Sequence, residues 1–160
     1  MSAALPAGLR EGLRVARPFL LTALAASLGA GLVAAAIAHA PTRPLVWMVA
    51  YLILVAGVAQ GVLGLGQALL PPRPPAARRC IMEWLLFNGG NAGVIAGTLL
   101  ASPALVALGT ALFVAALAAF LLGVRGAGGG WLLQLFRAML VVTGLGACVG
   151  LALTLAGLAR

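Results

Sequence analysis

Five stretches, residues 19–38, 45–70, 80–100, 104–124 and 131–158, hold between them only two charged side chains, Glu83 and Arg137. About 20 helical residues cross a hydrocarbon core roughly 30 Å thick. Within that core every backbone N–H and C=O must find its partner in the protein, so only helices and closed barrels can span it. A barrel strand alternates apolar and polar residues over about ten positions, whereas these runs are continuous Ala, Leu, Val and Gly. The sequence therefore predicts an all-α integral membrane helical bundle of five transmembrane helices. A basic segment, residues 1–18, precedes a single transmembrane bundle, residues 19–158.

Composition supports a hydrocarbon solvent. Hydrophobic residues make up 64% of the chain and charged residues 8%, against about 25% charged in soluble domains. All ten cations are arginine, the acids are Glu11 and Glu83, and the net charge is +8. The arginines sit at the ends of apolar runs rather than on one face among aromatics. They read as topology signals and contacts for anionic lipid, with no nucleic acid as partner. Arg10, Arg14 and Arg17 precede the first span, Arg73, Arg78 and Arg79 lie between the second and third, and Arg125 lies between the fourth and fifth. Under the positive-inside rule these segments, and with them the N-terminus, are cytoplasmic. The Ala/Leu/Gly/Arg bias suggests a GC-rich bacterial genome, hence a multi-pass protein of the bacterial inner membrane.

The connections carry turn chemistry. Pro71-Pro72-Arg73-Pro74-Pro75 removes amide donors and fixes φ, Ser102-Pro103 is a short turn, and Gly126-Ala127-Gly128-Gly129-Gly130 is a break. Ala38-His39-Ala40 imitates a signal-peptidase site, but the preceding run is longer than a signal core and Pro41 would follow the cut. The first span is therefore read as retained. Residues 1–18 read either as a short amphipathic helix, from Leu5, Leu9 and Leu13 against Arg10, Arg14 and Arg17, or as a solvated basic tail.

Polar residues inside spans are costly and face the bundle interior. Glu83 and Arg137 stand at similar depth, and Arg137 is the expected partner of Glu83, with Arg79, four residues before Glu83, as the competitor. Such a pair reads first as a lock between spans three and five. Gln60, Asn88 and Asn91 fall at one level and form a second expected cluster, with Gln67 close by. Glycines at helical spacing predict close helix packing: Gly57 and Gly61 in span two, Gly89, Gly93 and Gly97 in span three, Gly146 and Gly150 in span five. Cys80 and Cys148 lie in no CxxC or Cys/His pattern and read as free, small apolar residues. His39 is the sole histidine, a poor basis for a metal or haem site. No catalytic group, cofactor or metal ligand is expected.

The stretch Gly57-Val58-Ala59-Gln60-Gly61-Val62-Leu63-Gly64-Leu65-Gly66-Gln67-Ala68-Leu69-Leu70-Pro71, an arginine-containing loop, and then Trp84-Leu85-Leu86-Phe87-Asn88-Gly89-Gly90 resemble two consecutive helices of the haem–copper-oxidase-like and NnrS-like polytopic membrane proteins. The resemblance covers about a third of the chain. That family carries histidines on the first of these helices, where this chain has Tyr51, Gln67 and Ala68. The resemblance thus implies a scaffold without the haem ligands. Three functions follow as expectations. The first is a non-enzymatic accessory or scaffold subunit of a membrane complex, partnered by lipids and by other subunits or a second copy. The second is a small transporter or channel using Gln60, Asn88 and Asn91. The third is a ligand-depleted relative of oxidase-like proteins in respiratory or nitrogen-oxide metabolism.

Overall fold

A computed structural model describes residues 7–71 and 75–158. Five helices run back and forth: α1 (Ala7–Ala36), α2 (Arg43–Leu69), α3 (Ala77–Leu99), α4 (Pro103–Gly123) and α5 (Trp131–Leu158), with no strand among the described residues. Pro44 and Pro103 stand in the first turns of α2 and α4, where their missing amides cost nothing. Helices α1, α2, α4 and α5 are long and apolar enough to cross a membrane, and the chain is a multi-pass membrane protein. Leu28, Leu32, Val142 and Leu145 are all more than 60% exposed, as side chains facing lipid should be. Helix α3 carries Glu83, Asn88 and Asn91 and is less apolar. It compensates by position: it packs along α4 and touches α1 and α2, so its polar groups turn inward.

The seams between helices are built from small residues, because lipid supplies no hydrophobic push and backbones must approach closely. Helix α1 runs antiparallel to α2. A Cβ on Gly12 would lie 2.6 Å from the Ala68 carbonyl oxygen, one on Gly64 2.7 Å from the Phe19 Cβ, and one on Gly57 2.5 Å from the Ser27 hydroxyl. Gly61 sits in the same seam in ordinary contact with Ala23. Helices α3 and α4 meet more tightly. A Cβ on Gly90 would lie 2.6 Å from the Phe113 nitrogen, one on Gly93 2.7 Å from Gly109 Cα, and one on Gly97 2.6 Å from the Val106 nitrogen. Between the seams, Phe19, Phe87, Phe113, Phe120 and Phe136 fill the core with Leu63, Leu133 and Leu140. The Phe87 and Phe113 rings are 4.9 Å apart, and Phe19 and Phe120 5.6 Å.

Three expectations are corrected. Residues 7–18 belong neither to a separate interfacial helix nor to a tail. They continue α1 through Pro18, because Gly12 and Ala16 are buried against α2; residues 1–6 lie outside the described residues. The α3 stripe is Gly90, Gly93 and Gly97 rather than Gly89, Gly93 and Gly97. Gly89 is exposed and meets only the far end of Leu112. Gly146 and Gly150 pack against no described residue, since both have open space where a Cβ would stand.

Candidate functional site

The polar residues of the spans lie mainly where α2 faces α3. At the end of the bundle carrying the 70–76 and 124–130 connections, Glu83 is 2% exposed. One carboxylate oxygen accepts from Arg79 Nε at 2.8 Å and the other from Gln67 Nε2. Arg79 also donates to the Ala119 carbonyl of α4 at 2.7 Å, in the space that Gly123 leaves beside the guanidinium. This set joins α2, α3 and α4. The expected Glu83–Arg137 pair is therefore corrected: the partner is Arg79, and Arg79–Glu83 is the only salt bridge among the described residues. Similar depth did not make neighbours of α3 and α5, because α5 packs mainly on α4.

Toward the opposite end, Tyr51 donates its hydroxyl proton to Asn91 Oδ1 at 2.8 Å. Gln60 lies between these two groups along α2, fully buried, and neither polar atom of its side-chain amide has a hydrogen-bond partner among the described residues. Asn88 is half-buried and donates to the Trp84 carbonyl of its own helix at 2.9 Å. The expected cluster of Gln60, Asn88 and Asn91 is thus not joined by hydrogen bonds, and Tyr51 takes the place assigned to the others. Sequence spacing hid Tyr51, because at 100° per residue the steps to Gln60 amount to about 180°, placing the two on opposite faces. The π-helical segment Leu52–Ala59 changes this. With i→i+5 bonding and about 4.4 residues per turn, it reduces the separation to roughly 40°. Tyr51 and Gln67 then both reach α3.

Beside Tyr51 opens a cavity of 560 Å³ between α2, α3, α4 and α5. Trp47, Tyr51 and Phe113 form its aromatic wall, and Thr98, Thr110 and Thr143 its hydroxyl-bearing one. Arg137 stands apart, half-buried on α5. His39 is exposed in the turn after α1, Cys80 is buried, Cys148 is exposed, and both thiols are free. Among the described residues no three His, Cys, Asp or Glu side chains come together as a metal site. No family model, curated protein or solved structure matches this chain.

Proposed function

We propose that the chain is a non-enzymatic accessory subunit of a larger complex in a bacterial inner membrane, with its N-terminus in the cytoplasm. The observation supporting this reading is Arg137. It lies six residues after Trp131, about 9 Å along the helix, and makes no hydrogen bond or ion pair with any described residue. A guanidinium at that depth needs an anionic counter-group. Glu83 is already engaged by Arg79 and Gln67, and Glu11 is exposed on α1. A carboxylate from a neighbouring chain is the partner this reading supplies; the rival is a lipid headgroup reached by snorkelling. The transporter reading has less support, because Gln60 bonds to neither polar group flanking it and leaves no connected path.

Photo-crosslinking tests the proposal. Val141 is exposed one turn beyond Arg137, and a photoreactive residue at position 141 should capture one membrane polypeptide at fixed stoichiometry. Arg137→Leu should reduce that yield by tenfold or more, since unpairing a buried interfacial charge typically costs 2 kcal/mol or above, while Arg137→Lys should retain part of it. Crosslinks to lipid alone, with a monomeric chain by native mass spectrometry, would contradict the subunit reading. A Soret band in the same preparation would favour the oxidase-like one.

A further inference from the structure

We propose that the 560 Å³ cavity beside Tyr51 binds a neutral, carbonyl-bearing lipid, its polar head against Thr110 and Thr143 and its apolar chain leaving between α2 and α5. Its volume lies within the roughly 300–1,000 Å³ of small-molecule sites.

The cavity is written into the sequence of α5. At 100° per residue, Leu133, Phe136, Leu140, Thr143, Ala147 and Thr154 share one helix face. The first three are large and buried in the core. From Thr143 onward the same face carries Thr143, Ala147 and Thr154, with Leu151 as the one large side chain lining the cavity from it, and it is flanked by Gly146 and Gly150 with open space at both. The helix therefore seals the bundle over its first half and leaves a chamber along its second. Leu54 and Leu153 line the cavity and are 63% and 69% exposed, which sets its mouth between α2 and α5, toward lipid.

The charges and hydrogen-bonding groups of the lining select the ligand class. Among the described residues no Arg, Asp, Glu or His lines the cavity, so a charged ligand would be desolvated without a counter-ion from them. Tyr51 spends its proton on Asn91, Thr98 on the Val94 carbonyl and Thr154 on the Gly150 carbonyl. Thr110 and Thr143 bond to no described residue, and Thr110 is 5% exposed. The site thus presents two hydroxyls whose protons are unbonded, and the uncharged carbonyl oxygen of a lipid would accept from them without bringing a charge into the cavity. Phospholipid acyl chains carry no acceptor at this level: Thr110 lies about 10 Å inside the start of α4. The flat walls of Trp47, Tyr51 and Phe113 suit a planar head.

The test uses the full chain in detergent, with thermal stability and native mass spectrometry as readouts and three probes. Decylubiquinone offers a ring carbonyl, dioleoylglycerol offers ester carbonyls, and dioleoylphosphatidylglycerol offers acyl chains under a charged head. One of the two neutral lipids should bind saturably at one per chain, and which of them does so separates ring from ester recognition. Thr110→Val should weaken it about fivefold, the loss of one hydrogen bond. Gly150→Leu should abolish binding without unfolding the protein, because its side chain enters open space. Three results overturn the proposal: no saturable binding of either neutral lipid, equal binding to wild type and Gly150→Leu, or stabilisation by phosphatidylglycerol alone. A photoreactive residue at position 150 that captures polypeptide rather than lipid also overturns it, since the cavity would then be a helix seat.

Discussion

Gly109→Ala is expected to destabilise the bundle by about 3 kcal/mol, the upper end for overpacking a tight interior, and Gly109→Leu to prevent folding. The reason is the nature of the atoms in the way. A Cβ on Gly109 would lie 2.5 Å from the Val94 nitrogen, 2.7 Å from the Gly93 carbonyl carbon and 2.8 Å from the Gly90 carbonyl oxygen. All three are backbone, and no rotamer change relieves them. Helix α3 would have to withdraw from α4, breaking the most extensive contact in the molecule. The adjacent pair Gly89 and Gly90 supplies a control within one turn. Gly90→Ala should be nearly as damaging as Gly109→Ala, whereas Gly89→Ala should be neutral or slightly stabilising, since it meets only a flexible leucine tip and gains helix propensity. Thermal unfolding of the purified variants in one detergent checks the contrast. Equal midpoints for Gly89→Ala and Gly90→Ala would refute the seam.

Arg79→Leu is the second change with a large expected effect, a loss of about 2–3 kcal/mol. Breaking one side of a buried pair typically costs 3–5 kcal/mol. The figure is reduced here because the Arg79 side chain is 42% exposed and Glu83 keeps its bond from Gln67. Adding Glu83→Gln should restore most of the loss, because no buried carboxylate then lacks its counter-charge. A double-mutant cycle measures the coupling directly. Combined with Arg137→Leu instead, Glu83→Gln should give additive effects. Strong coupling of Glu83 to Arg137 and none to Arg79 would reverse the assignment.

These two sites mark the limit of what one dimension reveals. The apolar runs located α2 to α5 within about three residues, because the hydrocarbon solvent leaves the backbone few alternatives. The start of α1 was obscured by Pro18 and three arginines, which resemble a boundary. The helix continues because Gly12 and Ala16 meet α2 at Ala68 and Gly64, a contact between distant parts of the sequence. Both Gly89/Gly93/Gly97 and Gly90/Gly93/Gly97 satisfy helical periodicity, and only the presence of Gly109 across the seam selects the second. Depth along a helix is likewise legible, but direction around the bundle is not. Glu83 and Arg137 share a level, yet Arg79 one turn away holds the carboxylate. The Tyr51–Asn91 bond depends on a π-helical segment in a run of Leu, Ile, Val, Ala and Gly, residues that carry no π-specific signal. The cavity was half visible: Gly146 and Gly150 were recognised as positions of close approach, but they give space instead.

Helix α3, despite Glu83, Asn88 and Asn91, is expected to cross the membrane as the inner helix of a five-span bundle. Alkaline phosphatase fusions read this out, with the chain ended after Ala76, after Ala101 and after Arg160. The enzyme is active only where it is exported. The expected pattern is inactive after Ala76 and active after both Ala101 and Arg160, which puts the two ends of α3 on opposite sides and the N-terminus in the cytoplasm. Equal activity after Ala76 and Ala101 would mean that α3 does not cross, and the five-span bundle would be wrong.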